Sequence, residues 1–388
     1  MSAGKAGGLR NVVAGESRIS SIDGERGVLA YAGIDIHALA EHSGFEEVVF
    51  LLHEGRLPAR EELASLREEL ATARRVPSVV VSLLRSLPPS THPMTALRTA
   101  VSAAGAVDPD AGDDSPAASR RKARRLVAQM ATLVALVDRL RQGKEPVEPD
   151  PALSHAANFS FMLKGERPSA AVERALDTAL VLHADHEFNA STFAARVAAS
   201  TLADVHGAIT AAIATLKGPL HGGANEAVMR TLEAVGSLDR VEGYVREALA
   251  GKRKIMGFGH AVYRTEDPRA TQLRRLAKRL GEEAGDGLWF AISERIEQVV
   301  RAEKGLYPNV DFYSASAYHV LGIPTDLFTP VFAVSRVAGW TAHVLEQLAN
   351  NKLIRPESDY VGPRNVPYVA LEERPPAPAG MSPAGPPV

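Results

Sequence analysis

Lys217-Gly-Pro-Leu-His-Gly-Gly-Ala-Asn-Glu-Ala-Val228 is the stretch around which the rest of the chain can be read. Pro219 and the Gly222-Gly223 pair interrupt helical spacing on both sides of His221, and residues 224–235 return to it at once. Proline lacks the donor a helix interior needs and glycine resists ordering, so the spacing predicts a tight turn at His221 feeding a helix N-terminus. Unpaired N–H groups and the positive end of the helix dipole gather there. Such a potential disfavours imidazolium, which suits a neutral histidine donating a hydrogen bond to a developing oxyanion. A histidine that merely caps a glycine-rich helix start is the plainer alternative.

Upstream, the one clear short-strand signal lies at 18–22 and 28–31, flanking Asp23-Gly-Glu-Arg-Gly27, and predicts a small hairpin. Helical periodicity fills most of the remainder. It predicts helices over 45–53, 60–74, 77–87, 93–106, 119–142, 153–164, 168–187 and 190–216. Beyond His221 come helices broken by Gly and Pro loops, and Pro324 to Pro330 introduces one long apolar helix over 331–350. From Glu372 onward Pro, Ala and Gly dominate, so 372–388 is expected to be a disordered tail. The fold class is therefore mainly α with a small N-terminal β-hairpin.

Composition removes several function classes. A chain of 388 residues can bury a large core and divide into domains. The net charge of −2 offers no bulk attraction to nucleic acid or anionic membrane. The basic run Arg120-Arg-Lys-Ala-Arg-Arg125 leads directly into an apolar helical stretch and reads as a solvated helix face. Without cysteine there is no disulfide, thiolate metal site or thiol nucleophile. No apolar leader and no run of about 18 apolar residues is present, so the expectation is a cytoplasmic protein.

The chemistry concentrates in five further places. His183-Ala-Asp-His-Glu-Phe-Asn189 closes a predicted helix, with His183 and His186 on one face; an anion contact through His186 is favoured over a metal pair, which lacks further ligands. Gly257 and Gly259 let backbone approach a ligand, and His260 follows as a proton donor. Arg264 and Arg269 suit phosphate or carboxylate. Asp311 opens a helical run, either as an N-cap or as a carbon base whose pKa rises in a desolvated cleft. Arg336 shares a helix face with Phe332 and Trp340 in an apolar helix, where a buried cation requires an anionic partner, internal or substrate-borne.

Taken together, these motifs resemble the citrate synthase family from about residue 9 to 370. The resemblance rests on 183–192 (His-Ala-Asp-His-Glu-Phe-Asn-Ala-Ser-Thr), 218–225 (Gly-Pro-Leu-His-Gly-Gly-Ala-Asn) and 257–264 (Gly-Phe-Gly-His-Ala-Val-Tyr-Arg). It is extended by Asp-Pro-Arg at 267–269, Tyr-Pro-Asn-Val-Asp at 307–311, Phe-Ala-Val-Ser-Arg at 332–336 and Ile-Arg-Pro at 354–356. It implies a homodimer whose subunits carry a large helical domain (1–221 and 325–371) and a small helical domain (222–324) closing over the active site. It implies an acyltransferase joining an acyl-CoA to oxaloacetate, with the CoA ester as substrate and neither cofactor nor metal.

By motif, His221, His260 and Asp311 would be catalytic. His186, Arg269, Phe332 and Arg336 would bind oxaloacetate, together with Arg355 reaching over from the partner. Arg264 and the backbone of Ile255, Met256, Gly257 and Gly259 would bind CoA. Family members controlled by nicotinamide cofactors carry a longer N-terminal extension, so that control is not expected. Ala261 stands where many bacterial relatives have Arg. The motifs leave acetyl-CoA and propionyl-CoA (the 2-methylcitrate reaction) both open, since one methyl is worth only about 1–3 kcal/mol. A catalytically silent CoA- or carboxylate-binding protein of the same fold is the alternative from another class.

Overall fold

Three short strands and sixteen α-helices make up the computed structural model among its described residues, 12–374. β1 (Ser20–Asp23) and β2 (Val28–Tyr31) pair antiparallel, Ser20 opposite Tyr31 and Asp23 opposite Val28, as the strand signal predicted. A third strand, β3 (Ile34–Asp35), pairs with β2 after a turn at Ala32 and Gly33. Two residues are too few to leave an alternating pattern, so β3 was not legible in the sequence.

Most predicted helices stand within a few residues, and many of the helix starts are side-chain capped. Ser115, Ser154, Ser169, Asn189, Asp204, Asp267 and Asn309 each accept a backbone N–H of the first turn. Each such cap is worth about 1 kcal/mol.

Two predicted helices differ. The one over 168–187 is Ala170–His183 and stops there, so His186 lies in a loop rather than on the face of His183. The one over 190–216 is two helices, Ala190–Ser200 and Val205–Leu216. Apolar spacing runs through the break, but Asp204 caps the second helix and Leu202 turns the chain at φ +64°.

The basic run at 120–125 is not a simple solvated face. Arg120 and Arg124 pair with Glu54, Arg121 and Arg125 with Asp110, and Lys122 is buried against the carbonyl of Asp113.

The helix Phe328–Ala349 is buried over most of its length and packs against Pro116–Arg141, Ala190–Ser200 and Val205–Leu216. Trp340 and Arg336 are the largest side chains wholly inside. Helices between Ala224 and Val320 pack chiefly on one another, Pro268–Ala284 against Val310–Val320 most extensively. Residues through Ile354 make one unit. From Arg355 the chain forms a second stretch, largely exposed, whose one regular feature among the described residues is a 3-10 turn at Leu371–Glu373. Of the expected tail, 375–388 lies outside the described residues.

Candidate active site

A cleft of about 1260 Å3 gathers residues from widely separated segments of the chain. Its walls include His186, His221, Met256, Gly257, Gly259, His260, Arg269, Asp311, Phe332 and Arg336. Of the residues expected to bind ligands, Ile255 packs its side chain against the core, and Arg264 is an exposed side chain 3.9 Å from Glu25. Arg355 is exposed in the second stretch.

One local rule places three of these groups. Ala190–Ser200, Pro268–Ala284 and Val310–Val320 begin at capping residues Asn189, Asp267 and Asn309. Ser191, Arg269 and Asp311 each occupy the second helical position, one turn-edge past the cap. Asn309, not Asp311, is therefore the N-cap: its Oδ1 accepts the N–H of Asp311 at 3.0 Å. The Asp311 carboxylate accepts no hydrogen bond among the described residues, and burial pushes its pKa up to about 7, with Asp267 adding to the rise and Arg269 and Arg336 opposing it.

His260 is brought to Asp311 by a backbone exchange between two loops. Phe258 bridges Pro308, the N–H of Gly259 donates to Tyr307 and that of Asn309 to Gly257. Gly257 is what permits this contact: φ is +83°, and a Cβ would come within 2.8 Å of Phe312 and Val228. The Nδ1 atom of His260 accepts from the N–H groups of Val262 at 3.0 Å and Tyr263 at 3.3 Å. The neutral ring therefore carries its proton on Nε2. Burial, reinforced by the charge of Arg269, lowers its pKa to about 4.

His221 lies in the predicted turn, ahead of the helix Ala224–Val235. Its Nε2 is 3.3 Å from the N–H of Ser191, which makes Nε2 an acceptor and leaves Nδ1–H as the donor. Ser191 Oγ lies 2.8 Å from the same nitrogen and accepts from Trp340 Nε1 at 3.0 Å. The pKa is lowered to about 4, first by burial and then by Arg336. The neutral histidine expected from the sequence is present, with burial and a nearby guanidinium both disfavouring the imidazolium.

The cations behave differently from one another. Arg269 is bound through Nε and Nη2 to Asp267 at 2.9 and 2.7 Å, a buried pair in which burial lowers the guanidinium pKa but Asp267 more than reverses it. Asp267 also accepts from the N–H of Val310 at 3.2 Å, so it ties the Arg269 and Asp311 helices together. Arg336 makes no ion pair among the described residues. Its Nε donates to the carbonyl of His183 at 2.7 Å, its guanidinium stacks 4.6 Å from Phe332, and burial draws its pKa down to about 10. An unpaired buried guanidinium opening on a cleft is a strong anion site.

His186 Nε2 meets the Tyr263 hydroxyl at 3.2 Å, and its ring lies 5.1 Å from His260; burial, then Arg269, holds it well below the ordinary histidine range. His183 instead bonds Ala179 through Nδ1 and packs edge-on against Phe332. Sequence reasoning missed Ser191, Tyr263, Asp267 and Asn309. The capping spacing before each helix was the available signal for Asp267 and Asn309, whereas Ser191 and Tyr263 act across 30 and 77 residues.

The comparisons with known proteins agree with this geometry. The family model "Citrate synthase, C-terminal domain" matches residues 8–357. Citrate synthase 2 of Bacillus subtilis is 51% identical over 95% of this chain and 98% of its own length. The citrate/2-methylcitrate synthase of the same organism is 44% identical over 92% and 96%. The citrate synthase of Thermoplasma acidophilum, solved as a ternary complex with carboxymethyl coenzyme A and oxaloacetate, superposes with a TM-score of 0.89 at 34% identity, covering 94% of this chain and 98% of that one. A family model matched over residues 8–357, a fold shared over 94% of the chain and a cleft that joins six dispersed motifs make this chain a member of the citrate synthase family.

Proposed function

We propose that this chain condenses acetyl-CoA with oxaloacetate and hydrolyses the resulting thioester to citrate and CoA. The observation that carries the reading is an unpartnered carboxylate of raised pKa facing two neutral histidines of opposite tautomer in one cleft. Asp311 removes a proton from the acetyl methyl group while Nδ1–H of His221 hydrogen-bonds the enol oxygen that forms. The carbon then attacks the ketone, and Nε2–H of His260 delivers a proton to the new hydroxyl. Water subsequently breaks the thioester, releasing CoA with its thiol protonated.

Arg336, Arg269 and His186 hold the two carboxylates of oxaloacetate, and Phe332 packs at the reacting centre. In a homodimer Arg355 comes from the partner subunit. Arg264 and the segment Ile255 to Gly259 take the CoA phosphate and adenine, and CoA enters as part of a substrate, so the route uses neither cofactor nor metal. Closure of residues 222–324 as a small domain excludes water, which strengthens every charge–dipole interaction inside. On this reading the enzyme serves the central oxidative cycle, in the cytoplasm.

Propionyl-CoA as the acyl donor is the second reading, favoured by the 44% identity to a citrate/2-methylcitrate synthase. Thiol release from acetyl-CoA and propionyl-CoA, each with oxaloacetate, tests both. A tenfold or greater kcat/KM preference for acetyl-CoA is expected; the reverse preference moves the protein to the 2-methylcitrate reaction. No release from any short acyl-CoA, with oxaloacetate still bound, would mean a binding protein.

A further inference from the structure

The β1–β2 hairpin touches two of the three loops that carry the cleft histidines. On one side, Ser20 Oγ bonds the Asp185 carboxylate, the N–H of Glu187 donates to Ser20 Oγ at 3.0 Å, and the N–H of Ile22 donates to Glu187 Oε1 at 2.8 Å. The buried Tyr31 hydroxyl bonds the carbonyl of Asp185 at 3.1 Å. These contacts brace the loop of His186.

On the other side, the hairpin tip meets the loop of His260, some 240 residues away in sequence. The N–H of Arg264 donates to the carbonyl of Gly24 at 2.9 Å. A Cβ at Gly24 would lie 2.4 Å from the carbonyl oxygen of Val262, a backbone atom that cannot swing aside. A Cβ at Gly27 would meet Thr265 at 2.7 Å and the carbonyl oxygen of Glu266 at 3.0 Å. The tip is itself rigid, because Asp23 Oδ1 accepts the N–H groups of Glu25 and Arg26. The stretch it grips supplies the two N–H groups that orient His260 and the Tyr263 hydroxyl that meets His186.

We propose that the hairpin tip is a latch on the 262–266 loop, with Gly24 as the positioning residue through which it holds His260 in its proton-donating orientation. This rests on the condensation reading for its catalytic consequence. Gly24 is the informative site because its φ is not in the left-handed region, so alanine leaves the turn conformation accessible and tests the close approach alone. Gly33 is the control: it lies in the turn between β2 and β3 at φ +83°, with nothing within 4 Å of where a Cβ would stand, so G33A strains that turn without touching the loop.

The experiment uses the full-length chain. In G24A, kcat should fall tenfold or more while the Kd for oxaloacetate stays within twofold. Amide hydrogen exchange across 261–266 should accelerate at least tenfold, and G33A should change none of these. Parent-like kcat and exchange in folded G24A overturn the proposal, as does a parallel loss in G24A and G33A that follows melting temperature. If G24A does not fold, D23A, which loosens the tip without adding bulk, must produce the same split between kcat and Kd, or the proposal fails. Absence of thiol release by the parent would defeat the condensation reading alone, and exchange across 261–266 would still decide the latch.

Discussion

Asp311 concentrates the energetic conflict of this molecule in one side chain. A carbon base needs a carboxylate whose proton affinity is raised, and burial raises it to about 7. That same burial works against the fold. An acid whose folded pKa lies above its unfolded value leaves stability untouched below about pH 4, where both states are protonated, and costs stability increasingly as pH rises toward 7. D311N should therefore raise the melting temperature, by more at pH 8 than at pH 5; an equal gain at both would show that ionisation is not the cause. D311A should lower kcat by about three orders of magnitude or more with oxaloacetate affinity nearly intact. In the parent, kcat/KM should fall tenfold per pH unit below about 7, since the base must be ionised and His221 and His260 are already neutral above about 4. A flat profile from pH 5 to 8 would remove Asp311 from the role. Arg336 belongs to the same scale: R336A should weaken oxaloacetate binding roughly 10- to 100-fold, the worth of a charged hydrogen-bonded contact, read by calorimetry. Unchanged affinity would end its assignment.

Among the elements, turns and caps place the chemistry and helices support it. Ser191, Arg269 and Asp311 share the second position after a side-chain cap, so capping residues that stabilise a helix start also set where a functional group emerges. The break between Ala190–Ser200 and Val205–Leu216 shows the cost of such placement. Leu202 adopts φ +64° while 68% exposed, a conformation a leucine side chain resists and glycine accepts freely. L202G should stabilise the protein by about 0.5–1 kcal/mol, measured by chemical denaturation, with kcat unchanged. A destabilised variant would mean that Leu202 gains more from its contacts than its backbone loses.

Across the whole molecule, burial of neutral histidines sets the response to acid. His53, His155, His183, His221 and His260 have pKa values lowered to between about 3 and about 4, chiefly by burial. Below pH 6.5 the unfolded chain protonates them and the folded chain does not, so stability falls as pH drops toward 4. Asp311 and Asp177, raised to about 7 and about 6, oppose this in the same window but are fewer. The balance predicts stability that falls as pH drops through 5, seen as a decline in denaturation midpoint. A midpoint that holds steady from pH 6.5 to 4.5 would refute it.

Local rules suffice for part of this protein. Apolar periodicity and capping residues located the helices and the hairpin, because both report interactions within a few residues of each other. Gly and Pro located the turn of His221, and a guanidinium in an apolar helix marked Arg336, because the cost of an unpaired buried charge holds wherever the helix packs. Tertiary structure decided what depends on distant partners. It joined Gly257 to Asn309 and so His260 to Asp311, and it gave His221 its tautomer through Ser191. It engaged Arg269 with Asp267 while leaving Arg336 unpaired by carboxylate among the described residues. It set the raised pKa of Asp311, since desolvation belongs to a cleft, and no single segment of the chain contains the cleft.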